Sequence, residues 1–328
     1  MAVDTQEWLG LIEREYLGGY IDGGGGAIKF VVADEQQLAA IGGALSALSG
    51  QHGLAYVEIN AASTKLHMIQ DVFFAVARTL DWDSMAQRFV ESLFDRQGYE
   101  WPQPGEAVPI HQVAELNRVD VTLMRRAFHQ WLTAEVMRDT EMTQDFRIAI
   151  TRLCLRRLEP ENTQAGITAP VIEWLCGELR RVGSLKETTI TAKITRHNGR
   201  AMLRSVCRWL RLCGRHGLCI TLDIRQLAKT GASAGDGIKY STAAVMDSFE
   251  VLRQLIDDSE HFGGLLLVVL GNDGLIGDDP RRSLNAYSAL KMRVWADVRA
   301  EGRDNPLAPL IQLASRSTVD ATSGSLAR

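Results

Sequence analysis

The chain has 328 residues, of which 46% are hydrophobic and 23% are charged, a composition typical of a folded globular protein. The net charge of -4 excludes a protein that binds nucleic acid or anionic membranes through an overall basic surface. The five cysteines form no CxxC pair and the histidines no HxxxH or HExxH spacing, so the sequence predicts neither a disulfide framework nor a metal site. The longest apolar run, 265–270, is far below the ~20 residues that span a bilayer, and we expect a cytoplasmic protein with no membrane partner.

Helical and extended patterns alternate in the first part of the chain. Apolar residues first recur at helical spacing, and short apolar runs between helices then predict buried strands. The expected order is a helix over 5–20, a strand over 27–33, a helix over 34–53 with Asp34 near its N-terminal cap, a strand over 54–60 and a helix over 65–80.

The middle of the chain, about 81–200, contains no convincing strand pattern and looks like a helical insertion. A proline-rich loop at 101–109 interrupts it. The predicted helical blocks are 84–97, 120–139, 143–158 and 168–182.

The last part of the chain returns to the alternating pattern of the first part. We therefore divide the chain into a first part of an α/β core (1–80), a helical insertion (81–198), a second part of the core (199–313) and a disordered tail (314–328). The elements of the second core part are a helix over 199–216, a strand over 217–224, a glycine-rich loop over 229–241, a helix over 242–258 and a strand over 265–271.

The order of these elements predicts a parallel sheet covered by helices. Ligands of such sheets bind beyond the carboxyl ends of the strands, where Asp34, Asn60, Asp223 and Asn272 are expected to converge. This convergence favours a crevice of the kind that binds nucleotides.

Several segments carry a family resemblance: EWLGLIEREYLGGYIDGGGGAIKFVV near the start, GLCITLDIRQL, and GGLLLVVLGNDGLIGDDPRRSLNAYSALKMRV near the end. In this order they resemble the ATP-binding proteins of bacterial phage-defence systems of the BREX type and related systems. The resemblance implies a P-loop NTPase-like α/β fold, AAA+-like or RecA-like, with a helical insertion.

The chain departs from this family at both nucleotide motifs. Intact members follow the first strand with GxxGSGKT, whose amides, Lys and Ser/Thr hold phosphates and magnesium. Asp34, Glu35 and Gln36 stand here instead, and a like-charge contact at ~4 Å costs on the order of 4 kcal/mol. After Asp223, Ile224 replaces the Glu that would orient the attacking water. We therefore predict a degenerate site, no cofactor, and vestigial roles for Asp223 and Asn272.

Two sets of arginines are candidate contact residues. Arg281, Arg282 and Arg293 lie where ring-forming ATPases place arginines that reach a neighbouring subunit, although pairing with Asp278 and Asp279 is an alternative. A second set, spaced by 4, 4, 3 and 4 residues, is expected on one helical face, where DNA, an acidic partner or the chain's own acids could neutralise it. This second set is Arg200, Arg204, Arg208, Arg211 and Arg215.

The sequence thus predicts a non-catalytic ATPase-like subunit of an anti-phage or DNA-processing complex. It would bind a partner ATPase, helicase or nuclease, or DNA, and could form homo- or hetero-oligomers. Two alternatives stay open at this point: an active ATPase that uses ATP and magnesium with an atypical phosphate loop, and a stand-alone DNA-binding module.

Overall fold

A computed structural model describes residues 3–158, 168–295 and 305–314. The chain divides into two compact units, Met1–Val72 with His216–Arg328, called here the sheet unit, and Phe73–Arg215, called the helical unit. The predicted segment limits at 80 and 198 stay predictions, and the predicted disordered tail lies outside the described residues from 315 onwards.

The sheet unit contains a parallel sheet of five strands in the order β2-β3-β4-β1-β5. This confirms the predicted parallel α/β architecture, which is consistent with a P-loop NTPase-like fold. The strands are β1 (Gly26–Val32), β2 (Leu54–Asn60), β3 (Gly217–Asp223), β4 (Leu265–Gly271) and β5 (Leu310–Gln312).

Burial explains why these segments form strands. Every residue of β3 and of β4 is buried, as expected for central strands covered on both faces. The β4 strand is accordingly a continuous apolar run, while β3 is apolar apart from Thr221 and the terminal Asp223. The β2 strand lies at the end of the sheet, and its Glu58 is exposed. At the start of β3, Gly217 is required because a Cβ atom there would lie 2.1 Å from the carbonyl oxygen of Gly264.

Helices of the sheet unit pack on the sheet through residues such as Trp8, Ile41 and Leu45, which are buried with Val31 and Val268 in one apolar cluster. The helix predicted over 5–20 changes into a π-helix at Ile12–Tyr20. The α-helices are α1 (Thr5–Leu11), α2 (Glu35–Gln51), α10 (Thr242–Asp257), α11 (Asp273–Ile276) and α12 (Ser288–Val294), while α3 (Ile69–Thr79) continues into the helical unit.

The helical unit contains no strand among its described residues, as predicted for this part of the chain. Its core includes Phe89 and Trp209, whose ring centroids are 4.9 Å apart. The helices are α4 (Trp82–Arg96), α5 (Ile110–Leu116), α6 (Val121–Leu132) with a π-helical end at Thr133–Met137, α7 (Gln144–Leu158), α8 (Thr168–Leu175) and α9 (Gly199–Leu212).

A lysine side chain is buried inside the sheet unit. Lys29 of β1 is 6% exposed, and its Nζ donates a hydrogen bond of 2.6 Å to the carbonyl oxygen of Leu307. The same Nζ lies 4.6 Å from the centroid of the Tyr16 ring. Burial lowers the pKa of Lys29 from an ordinary value of 10.5 to about 8, because the charged form loses its hydration.

Candidate functional site

The candidate site lies at the carboxyl edge of the sheet. Because the strands are parallel, Asp34 after β1, Asn60 and Asp223 at the ends of β2 and β3, and Asn272 after β4 share this edge, as predicted. Asn60 and Asp223 are register partners, and Asn60 Nδ2 donates to Asp223 Oδ2 over 3.3 Å.

The connection from β1 to α2 consists of Ala33 and Asp34 alone. Asp34 caps α2, as predicted: its carboxylate accepts from Gln37 N at 2.8 Å, and Gln37 Oε1 accepts from Asp34 N at 3.2 Å. Gln37 Nε2 also donates to the carbonyl oxygen of Ala314 at 2.6 Å. Through Gln37, the turn is thus bonded to the residues that follow β5. The capping box also uses a helix-terminal amide that would otherwise be available to a phosphate.

Asp223 is held by groups of its own chain. Arg225 Nε lies 3.0 and 3.1 Å from the two carboxylate oxygens, and Arg225 Nη2 donates to Oδ2 at 2.7 Å. The backbone N–H of Arg225 donates to Oδ1 at 3.0 Å. With the bond from Asn60, both oxygens of this buried carboxylate have partners. The bidentate geometry is that of the strong arginine–carboxylate pairs.

Arg225 also reaches the helix that follows β1. Its Nη1 lies 3.4 Å from Glu35 Oε1, so one guanidinium lies between Asp223 on β3 and Glu35 at the start of α2. The hydrogen bonds with Asp223, then the charges of Asp223 and Glu35, raise the pKa of Arg225 further above its ordinary value. Arg225 therefore always carries its positive charge. One guanidinium of the protein thus pairs with two of the acids of the site, Asp223 and Glu35.

Asn272 caps α11, with its Oδ1 accepting from Gly274 N at 3.2 Å. Beside it is a cavity of about 10 Å³ lined by residues that include Ile224, Arg225, Leu275 and Arg282. A volume of this size holds about one water molecule, whereas cofactor pockets measure about 300–1,000 Å³.

The comparisons with known proteins identify a family. The sequence model of the BREX system ATP-binding proteins BrxC/D matches residues 111–322, more than half of the chain. The chain belongs to this family. No curated protein and no solved structure matches it.

Membership of the BrxC/D family indicates a role in a phage-defence system that consists of several proteins. The match includes β3 and β4 but begins after the connection between β1 and α2. The family description names ATP binding, and two features at the carboxyl edge of the sheet bear on it. The turn after β1 is short and acidic, and the carboxylate of Asp223 is engaged by Arg225 and Asn60.

The three arginines of the BrxC/D chain that were predicted to act in trans differ in their surroundings. Arg282 donates to three backbone carbonyls, those of Leu227 (2.8 Å), Lys229 (3.0 Å) and Tyr240 (2.8 Å). Arg293 forms an ion pair with Asp257 of α10. The alternative that these two arginines pair with Asp278 and Asp279 is therefore wrong. Arg282 is bonded to backbone carbonyls, and Arg293 is paired with Asp257.

Arg281 is different from the other two. It is exposed, and no bond of its guanidinium is found among the described residues, although its backbone N–H donates to Asp279 Oδ1 at 2.8 Å. Of the three candidates, Arg281 is thus the one whose side chain can contact another molecule without losing a bond.

Four of the five arginines of the predicted stripe lie on α9. The fifth, Arg215, lies outside the helix, because α9 ends at Leu212 and the chain turns at Gly214, whose φ is +78°. All five arginines are half-buried. Arg208 is neutralised within the unit, since its Nε lies 2.7 Å from Asp139 Oδ2 and 3.3 Å from Glu141 Oε2. Arg200 and Arg211 also interact with other groups of the chain.

No helix within 3–158, 168–295 and 305–314 is both long and apolar enough to cross a bilayer. In the same ranges, no three His, Cys, Asp or Glu side chains are grouped as a metal would require.

Sequence reasoning missed Arg225. The signal available was an arginine two residues after a strand-terminal acid, where its backbone N–H and side chain can both reach the carboxylate. Its second contact, with Glu35, depends on the sheet order and could not be predicted from local spacing.

Proposed function

We propose that this BrxC/D-family chain is a non-catalytic ATPase-like subunit of a phage-defence complex. The observation that carries the proposal is the occupation of Asp223 by Arg225. In an active site of this type, the acid at the end of this strand holds magnesium and a polar neighbour orients water. Here a guanidinium takes the cation's place, and Ile224 occupies the position of the missing Glu.

The work of such a subunit is binding. Its partner is an ATPase, helicase or nuclease of the same defence system, or DNA held by that assembly. Arg281 is the arginine that supports contact with a neighbouring subunit, because its side chain is exposed and has no bond among the described residues. The neutralisation of Arg208 by Asp139 weighs against the α9 stripe as an independent DNA-binding surface.

The proposal predicts that phage protection survives a neutral replacement of the Asp223–Arg225 pair. The double variant Asp223→Asn/Arg225→Gln removes both charges and keeps hydrogen-bonding groups of similar shape. In a bacterium that carries the complete defence system, we expect the plating efficiency of phage to stay at the wild-type level, because the pair takes part in no chemical step.

Deletion of the chain serves as the control and must abolish protection. Circular dichroism melting of the purified double variant verifies that it folds. Loss of protection by a folded double variant would contradict the proposal and favour an active ATPase.

A further inference from the structure

A second cavity lies in the helical unit. None of the residues that line it belongs to the Asp223 site. It measures about 740 Å³ and opens to solvent between the C-terminal half of α4 and the loop that follows it. This volume is within the ~300–1,000 Å³ range of ligand pockets. Its lining includes three carboxylates, two aromatic rings and one guanidinium: Glu91, Asp95, Glu100, Tyr99, Trp101 and Arg88.

Hydrogen bonds hold the polar wall of this cavity in place. Glu91 Oε1 accepts from Gln87 Nε2 and from Gly105 N, each at 2.7 Å. Asn117 clamps the loop by accepting from Glu100 N at 2.8 Å and donating to the carbonyl oxygen of Glu100 at 2.9 Å. Two of the carboxylates are therefore presented by α4 and the third by a loop that these bonds fix, which lowers the entropic cost of binding.

The aromatic wall is also supported from behind. The ring of the fully buried Phe94 lies 5.4 Å from that of Trp101 and 6.3 Å from that of Tyr99. Trp101 Nε1 donates to the carbonyl oxygen of Gln103 at 3.1 Å. Trp101 therefore lines the cavity with an indole whose N–H is already bonded within the loop.

The charges of the cavity decide which ligand fits. Three carboxylates against one guanidinium leave the wall negative, so it repels phosphates and attracts cations. Aromatic faces attract cations as well, and a planar guanidinium both stacks on rings and binds a carboxylate through two hydrogen bonds. A guanidinium can therefore use the rings and the carboxylates of this cavity at the same time.

We infer that this acidic aromatic cavity binds an arginine side chain from a basic segment of a partner protein. The inference is independent of whether the Asp223 site is active. It assigns to the helical unit a protein-docking role that the family description does not include.

The test uses the full chain and the peptide acetyl-Gly-Arg-Gly-Arg-Gly-amide, with binding measured by calorimetry. The matching citrulline peptide has the same shape without the charge, and we expect it to bind at least ~10-fold more weakly, a difference of about 1.4 kcal/mol. Trp101→Leu should weaken binding of the arginine peptide by about 5–10-fold, the value of one cation–π contact. Arg88→Gln should strengthen it, because the cavity then loses its repelling cation.

A second pair of variants separates the effect of removing carboxylates at the cavity from the effect of removing carboxylates elsewhere on the same unit. We expect Glu91→Gln/Asp95→Asn to weaken binding at least ~10-fold, on the order of 1.4 kcal/mol. The control Glu115→Gln/Glu187→Gln removes two exposed carboxylates of the same unit and should leave binding unchanged. Equal affinity for arginine and citrulline peptides, or equal losses in the two double variants, would overturn the inference.

Discussion

Replacing Arg225 by Ala is expected to lower the free energy of unfolding by about 3 kcal/mol, because a buried carboxylate then loses its cation. Asp223 is 8% exposed, and Arg225 supplies most of its bonds. Without the guanidinium, Asp223 and Glu35 are also left without the charge that lies between them. Urea unfolding monitored by circular dichroism measures the change.

A double-mutant cycle assigns this effect to the pair. Asp223→Asn in the background of Arg225→Ala removes the unpaired charge, so we expect the double variant to recover about 1–2 kcal/mol of the loss. Arg281→Ala, at an exposed arginine, is the matched control and should change stability by less than ~0.5 kcal/mol. Purely additive effects of the two substitutions would show that Arg225 does not neutralise Asp223.

Lys29→Met is expected to stabilise the protein by about 2 kcal/mol at pH 7, the opposite direction to Arg225→Ala. The pKa of about 8 against an ordinary 10.5 means that the charged form of Lys29 destabilises the fold by roughly 3 kcal/mol relative to its neutral form. The substitution recovers only part of this, because the carbonyl oxygen of Leu307 then loses its donor. Met has a similar volume and carries no charge.

The same lysine predicts how stability depends on pH. Between pH 8 and 10 the unfolded chain still binds the Lys29 proton that the folded chain has released, so Lys29 contributes a rise with pH to the free energy of unfolding. The buried thiols contribute a fall over the same interval, because burial raises their pKa. The contribution of Lys29 is therefore the difference between the wild-type curve and that of Lys29→Met. Lys29→Met should remove this rise, while Lys65→Met, at an exposed lysine, should retain it. An advantage of Lys29→Met over the wild type that does not shrink as pH rises over this interval, or destabilisation by Lys29→Met, would contradict the burial of a charged lysine in β1.

The strands were predictable where burial dictates composition. The segments 54–60 and 265–271 have the predicted limits because short apolar runs bounded by helices have few other solutions. The three-residue β5 was missed, since Leu310–Gln312 is too short to show a pattern and forms a strand only by pairing with β1. The π-helix at Ile12–Tyr20 was missed because its apolar residues also fit α-helical spacing.

The sequence was enough to predict where the candidate site lies, but not which side chains contact one another there. Parallel strands bring Asp34, Asn60, Asp223 and Asn272 to one edge whatever their side chains do. The contact of Arg225 with Glu35 joins residues that are far apart in the chain, and it exists only because the fold places α2 and the end of β3 near each other.

We propose that the chain's own Arg225 closes the site at Asp223 to nucleotide and magnesium. A calorimetric titration of the full-length chain with ATP and magnesium tests it most directly. We predict no saturable binding up to ~1 mM nucleotide, a limit that corresponds to about -4.1 kcal/mol. Magnesium-dependent binding in the micromolar range that Asp223→Asn abolishes would contradict the claim.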